Sequence, residues 1–447
     1  MSKLKLLCFA LLLLPQFCIA QSSKTARLDS LFSLLDSKNK MMGSVKLTAA
    51  GQTFYEKSIG FAEINDIKKK PANRDTRYRV GSITKTFTAT MILQLVEEKK
   101  LDLTTTLDKY FPTVPNAAQI TMRMLLNHRS GIHNYTNDAS FLRTLTKSRT
   151  AEEMTNVIMG QKSDSQPDQR TEYSNSNYVL LGFIIEKITG KSYAENLEKH
   201  ILAKLGLKNT RYDGKTDIEK NDTYSYDFVD KWVKHDETDL SNVLAAGSII
   251  STTSDLTAFI DGLFSGKLIS TESLEKMKTI TDGMGLGMIR VPFYDEIGYG
   301  HNGSLDGYQS TLYHFPKDKV TVAILSNGTA YALNDVVIAL LSAYYDKPFQ
   351  LPNLNVAKLS PEELGRYEGI YSSDQIPLKI TITPRNGTIN AQATGQPEFP
   401  LMYNGGNIFR FDQAGIVMEF RPEQKEFTLK QGGVDYLFKI ESIRSVN

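Results

Sequence analysis

Apolar positions along this chain recur with two periods, and the places where one gives way to the other divide it. Ser44-Val45-Lys46-Leu47-Thr48 alternates, Ala50-Gly51 is a turn, and Thr53-Phe54-Tyr55-Glu56-Lys57 follows, which predicts two paired strands within 43–60. Over 87–96 the chain is apolar on nearly every face, the pattern of a buried helix, which ends at Lys99-Lys100. From Leu101 to Thr279 helical spacing dominates, with helices predicted over 121–127, 151–159, 178–188 and 254–264 between long polar loops. Strand signals return over 285–290, 309–315 and 319–326, the last two joined by a turn at Pro316-Lys317-Asp318, and 332–345 reads as a closing helix. Strands at both ends bracket a helical middle, so the sheet must be assembled from distant segments. The predicted class is α/β: an antiparallel sheet flanked by helices, with a helical subdomain.

Past Pro348, Pro352 and Pro361 no sustained helical period survives. Short strand signals follow over 368–372, 378–383, 388–393, 399–403, 408–411, 417–421, 427–431 and 436–440. Asn386-Gly387, Asn404-Gly405-Gly406, Ala414-Gly415 and Gly432-Gly433 supply turns between them. A meander of this kind is expected to close into a small all-β barrel. The chain therefore divides into a main domain over 21–347, a linker over 348–361 and the barrel over 362–447.

Residues 1–20 stand outside this scheme. Lys3 and Lys5 precede the apolar run 6–14, and Cys18-Ile19-Ala20 precedes Gln21, the layout of a secretory leader whose apolar run is too short for a membrane span. Cleavage is expected after Ala20, which places the mature protein in a secreted or periplasmic setting. Lipid attachment at Cys18 is the alternative, but Gln16 and Phe17 stand where small residues would be needed. Cys8 and Cys18 are the two cysteines of the chain, so its mature form would have neither a disulfide nor a thiol nucleophile. Loss of Lys3 and Lys5 takes the formal net charge from +2 to zero, and no basic run remains to attract nucleic acid or an anionic membrane.

Cofactor signals are weak. His128, His133, His200, His235, His301 and His314 form no H-E-x-x-H and have no cysteine partners, so no metal is expected. Gly298-Tyr299-Gly300-His301-Asn302-Gly303 matches G-x-G-x-x-G, but no clear strand precedes it and no helix follows, so no dinucleotide is expected either.

The chemistry points to Ser82-Ile83-Thr84-Lys85. S-x-x-K also occurs at Ser2, Ser37 and Ser273, and what distinguishes Ser82 is the glycine before it and the apolar helix behind it. Three residues apart on a helix, Lys85 can reach the Ser82 hydroxyl, and the helix N-terminus offers free N–H groups to an oxyanion. Lys85 must be neutral to take a proton, which burial can bring about. Taken by itself, the motif fits a helix cap at Ser82 equally well.

Two further motifs narrow the choice. Tyr173-Ser174-Asn175 lies 91 residues after Ser82, in a polar loop before the 178–188 helix, and His301-Asn302-Gly303 lies 128 residues later. S-x-x-K, Y-x-N and K/H-x-G in this order resemble the penicillin-recognising serine hydrolases, which include class C β-lactamases, D-alanyl-D-alanine carboxypeptidases, esterases and D-amino-acid peptidases. Leu125-Leu126-Asn127-His128-Arg129-Ser130-Gly131-Ile132 and the small-residue stretch 245–252 resemble further segments of that family, and the likeness extends over about 24–345.

The resemblance implies a β-lactamase/transpeptidase-like fold, with a lipocalin-like C-terminal domain as in some members. It implies Ser82 as acylated nucleophile, Lys85 as its activator and Tyr173 as proton shuttle to the leaving group. Asn175 would hold the substrate amide and the Lys85 ammonium, and the N–H groups of Ser82 and Ser304 would form the oxyanion hole. A tyrosinate whose pKa is lowered by the neighbouring lysine would be a competent base. His301 and Asn302 stand where the family usually has lysine and a hydroxyl residue, which weakens the pocket beside Gly303 for a substrate carboxylate. The expected activity is hydrolysis of D-amino-acid peptides, amides or esters, resembling D-alanyl-D-alanine carboxypeptidases. A class C-type β-lactamase, a small-ester esterase and a non-turnover penicillin-binding sensor are the alternatives. The partner is a small-molecule or peptide substrate, and the oligomeric state is left open. Tyr135-Thr136-Asn137 is a second Y-x-N, but it sits too early in the chain, and His128 reads as a structural histidine that fixes its loop.

Overall fold

A strand buried on both faces needs a layer on each side, and Val320–Thr329 is such a strand: every position but Thr329 is buried. It pairs with Tyr308–Phe315 on one edge and with Met41–Ala49 on the other, where Leu47 lies opposite Val322. The sheet has six antiparallel strands, in the order Ile289–Phe293, Glu296–Leu305, Tyr308–Phe315, Val320–Thr329, Met41–Ala49, Gln52–Ile59. Distant segments thus meet in one sheet, as the bracketing pattern requires. The computed structural model describes residues 24–442, except 66, 213, 230, 353, 355–358, 386, 397, 412–414 and 432–433. The leader with both cysteines, part of the linker, and the turn residues Asn386, Ala414, Gly432 and Gly433 lie outside the described residues.

Glu296–Leu305 is a ten-residue strand that apolar patterning did not predict. Its glycines erase the alternation, and packing requires them. A Cβ at Gly298 would lie 2.8 Å from the Phe315 ring, and one at Gly300 would lie 1.9 Å from the Leu312 carbonyl oxygen. The G-x-G-x-x-G match is therefore a close-packed strand and not a phosphate loop. The strand predicted over 285–290 begins later, at Ile289, because Gly287 turns the chain with φ +75°.

The apolar 87–96 stretch lies in the helix Thr84–Glu97, buried from Thr84 to Leu95 and entered through one 3-10 turn, Gly81–Ile83. Phe87 stacks on Phe259 of the Thr253–Phe264 helix. The Asn175–Thr189 helix starts three residues earlier than its apolar stripe, so Asn175 is helical and not in a loop. A small sheet in the order Tyr78–Arg79, Ile249–Ser251, Arg211–Tyr212 joins the segment before Ser82 to the helical region. No helix among the described residues is long and apolar enough to cross a membrane.

The described residues fall into two compact units, one running to residue 347 without Asn334–Val336 and the other comprising Asn334–Val336 and residues from Pro348 onward. In the second unit a short helix, Pro361–Gly365, with a Ser360/Glu363 capping box, stands where the linker was expected to end. Eight antiparallel strands then close into a barrel, the last pairing with the first through Ile440 and Tyr371. Its interior is a packed core. Phe409, Phe427 and Phe438 have no exposed surface, and Phe427 stacks on Phe438 with centroids 5.0 Å apart.

Candidate active site

Backbone pairing sets the position of Ser82. Tyr78 and Arg79 pair with Ser251 and Ile250, and the Val80 N–H donates to the Ile249 carbonyl at 2.9 Å. The chain then turns at Gly81, whose φ of +52° favours glycine and where a Cβ would lie 2.9 Å from the Ser304 nitrogen. Ser82 does not cap the helix, because no side chain caps either the 3-10 turn or the helix that follows. Its Oγ instead lies 2.9 Å from Lys85 Nζ and 2.7 Å from Tyr173 Oη.

Lys85 is fully buried. Besides Ser82, its Nζ donates to Asn175 Oδ1 and to the Ala246 carbonyl, each at 2.8 Å. Two of these three neighbours can only accept, while the Ser82 hydroxyl can also donate. A neutral amine fits the site with two N–H donors on the two acceptors and its lone pair on the Ser82 proton. An ammonium fits the same three positions as a triple donor, so a proton can pass from Ser82 to Lys85 without rearrangement. Burial pushes the Lys85 pKa well below its ordinary value, which favours the neutral form.

Tyr173 departs from expectation in its ionisation. Its ring lies against the His128 imidazole, with centroids 4.3 Å apart. Desolvation around the hydroxyl raises its pKa, and the Ser82 hydrogen bond only partly opposes this. The tyrosinate base anticipated from a neighbouring cation is therefore corrected: Tyr173 is a neutral phenol that donates to Ser82. His128 holds its loop as expected, since its Nδ1 accepts the Ser174 N–H at 3.1 Å. Burial, with Lys85 nearby, keeps His128 uncharged.

The Glu296–Leu305 strand brings the third motif to the serine. His301 is buried, and its ring centroid is 6.3 Å from that of Tyr173. Its Nδ1 donates to the Asn302 carbonyl, and burial brings its pKa down to about 4, so it is neutral near pH 7. Asn302, the next residue on the strand, is exposed and faces the other side, without a hydrogen bond to Ser82, Lys85 or Tyr173. The side chain of Ser304 is likewise exposed, but its backbone nitrogen faces Gly81. A Cβ at Gly303 would lie 2.1 Å from the Val80 carbonyl oxygen and 2.9 Å from the Ser82 nitrogen. Arg79 and Asp306 brace this contact. Arg79 donates to the Thr238 carbonyl at 2.6 Å and to Glu237 at 2.9 Å, and Asp306 accepts from the Thr238 hydroxyl at 2.5 Å.

Gly303→Ala is expected to push this strand away from Ser82 and to lower the acylation rate by roughly 10²- to 10³-fold, the cost of losing an oxyanion donor. Stopped-flow acylation kinetics on folded protein would test this, and a rate within threefold of wild type would count against the contact.

The second Y-x-N does not duplicate the first. Tyr135 is buried and donates to the Asn242 carbonyl at 2.7 Å, away from Ser82, but Thr136 receives a hydrogen bond from Asn175 Nδ2 at 3.0 Å. Pattern reading thus missed three neighbours of the cluster: the Ala246 carbonyl, Thr136, and the stacking face of His128. Among the described residues no group of three or more His, Cys, Asp or Glu side chains is placed to hold a metal ion.

The chain is similar to known proteins over much of its length. The family profile described as Beta-lactamase matches residues 34–343. Penicillin-binding protein 4* of Bacillus subtilis (strain 168) is 27% identical, over 92% of this chain and 98% of that protein. The D-amino acid amidase from Ochrobactrum anthropi SV3, crystallised with D-phenylalanine, is 28% identical with a TM-score of 0.63, over 71% of this chain and 98% of that one. The octameric penicillin-binding protein homologue from Pyrococcus abyssi is 25% identical with a TM-score of 0.68, over 93% of this chain and all of that one.

Proposed function

This chain belongs to the Beta-lactamase family of serine hydrolases, and from that premise we propose that it hydrolyses D-amino-acid peptides, amides or esters through an acyl-enzyme on Ser82. The observation that carries the reading is the buried Lys85 amine, held between two fixed acceptors and the Ser82 hydroxyl. Ser82 Oγ attacks the acyl carbon as its proton passes to Lys85, and the oxyanion is met by the N–H groups of Ser82 and Ser304. The Tyr173 hydroxyl gives its proton to the departing amine or alkoxide and is reprotonated from the Lys85 ammonium by way of the cluster. Water then attacks the ester by the reverse proton path, returning Ser82 and the free acid. Asn175 positions Lys85 and the substrate amide.

His301 supports the choice of substrate. A neutral imidazole in the third motif offers no cation to a substrate carboxylate, which favours amides, esters and internal peptide bonds over substrates ending in a free carboxylate. Likeness to a D-amino acid amidase is consistent with this. The leader-like residues 1–20 support action outside the cytoplasm.

A substrate panel tests the proposal. D-phenylalanine amide, a D-amino-acid peptide and short p-nitrophenyl esters are expected to turn over at least tenfold faster, by kcat/KM, than the β-lactam nitrocefin. Faster nitrocefin turnover would reverse the choice in favour of a β-lactamase. A permanent β-lactam adduct with no product from any substrate would point to a sensor.

A further inference from the structure

The repeated Tyr135-Thr136-Asn137 motif contributes no tyrosine to the cluster, yet it contacts the cluster through its threonine. Asn175 can aim either its Oδ1 or its Nδ2 at Lys85, and the two choices have opposite consequences. With Oδ1 toward Lys85, the amine donates to it and keeps its lone pair for Ser82. With Nδ2 toward Lys85, the amine lone pair is drawn to Asn175 and Ser82 loses its base.

The hydrogen bonds around Asn175 decide between them, starting from a group whose polarity is not in question. The Asn175 backbone N–H can only donate, and it donates to Asn134 Oδ1 at 3.0 Å. Asn134 Nδ2 donates to Asn137 Oδ1 at 3.0 Å, which agrees with that orientation. Since Asn134 Oδ1 can only accept, the Thr136 hydroxyl, 3.0 Å away, must give it its proton. The Thr136 oxygen is then left as an acceptor toward Asn175, 3.0 Å from Nδ2. This turns Asn175 Oδ1 to Lys85, at 2.8 Å.

We infer that Thr136, with Asn134, is a positioning residue: a relay of fixed hydrogen-bond polarity that holds the Asn175 amide so that the Lys85 lone pair faces Ser82. The inference rests on Ser82 and Lys85 acting as proposed above, but not on any particular substrate. Neither Thr136 nor Asn134 needs to touch the substrate, and their effect passes through Asn175 alone.

The experiment measures the rate at which a fluorophosphonate probe labels Ser82, as a function of pH, in the full chain. Wild type is compared with Thr136→Val, which keeps the shape and removes the hydroxyl, and with Thr136→Ser, which keeps the hydroxyl. Thr136→Val is expected to slow labelling roughly 10- to 100-fold, part of what a general base contributes. It also moves the acid limb of the pH profile to lower pH, because an Asn175 N–H facing Lys85 disfavours the ammonium. Tyr173, Tyr178, His128 and His301 also face Lys85 and are unchanged by the substitution. Thr136→Ser is expected to restore labelling to within about threefold of wild type, and on an Asn175→Ala background Thr136→Val adds nothing further.

Thr136→Ala removes the same acceptor and gives a second reading if the valine variant folds poorly. Labelling by Thr136→Val within threefold of wild type at an unchanged pH midpoint would overturn the relay. So would an equal loss with and without the Asn175 side chain. An unlabelled wild type would instead overturn the assignment of Ser82 as nucleophile, on which the relay depends.

Discussion

Ser82→Ala is expected to abolish hydrolysis of every substrate the protein turns over, with a fall in kcat of roughly 10⁴- to 10⁶-fold, as when a serine hydrolase loses its nucleophile. The local structure makes this substitution clean. Ser82 Oγ caps no helix, and its two hydrogen bonds run to Lys85 and Tyr173, so its removal leaves the Thr84–Glu97 helix intact. Stability is therefore expected to change by less than about 1 kcal/mol. Wild type mixed with a slow ester should gain the mass of the acyl group at Ser82, and the variant should gain none. Residual turnover above about one part in a hundred, on protein of unchanged melting temperature, would mean that another group attacks the substrate.

How far the sequence foretold the molecule varied with what each feature depends on. The eight barrel strands alternate and are set apart by turn residues, so each is legible by itself, and the observed strands agree with the predicted ones to within a few residues. The Glu296–Leu305 strand was not legible, because its glycines answer to neighbours distant in sequence, Phe315, Leu312 and Val80. The helix over 24–37 is not among the predicted elements, although Leu28, Leu31, Phe32 and Leu35 repeat at helical spacing and are all buried. Two-residue strands such as Tyr78–Arg79 are too short to carry any period.

The site divides in the same way. Ser82 and Lys85 are three residues apart, so their contact follows from local structure, and the order of the motifs pointed to Tyr173 and Asn175. The Ala246 carbonyl has no side-chain signature, so its bond to Lys85 could not be read from the chain. Charge reasoning failed at Tyr173 because a sequence shows the neighbouring lysine but not the desolvation that raises the phenol's pKa. The same ambiguity hid Thr136, whose role depends on which end of the Asn175 amide faces Lys85.

Lys85→Arg tests whether Lys85 serves as a base or only as a positive charge. Arginine keeps the charge but stays protonated throughout the working pH range, so it can position Ser82 but cannot take its proton. If Lys85 is the base, acylation falls by about 10²- to 10⁴-fold. The pH profile supplies the sign. Burial lowers the Lys85 pKa, so wild-type acylation should rise with pH through that lowered value, well below the range of an exposed lysine, and fall on acidification as the amine is protonated. His301, whose pKa burial brings down to about 4, also faces Lys85, so His301→Gln is the control: a limb that belongs to Lys85 should persist in it. In Lys85→Arg the limb should vanish, leaving a low rate that does not vary with pH. Retention of more than about a tenth of the wild-type rate with the same acid limb would mean that the proton goes elsewhere. Tyr173 would be the remaining candidate, since its hydroxyl is also within hydrogen-bonding distance of Ser82, at 2.7 Å.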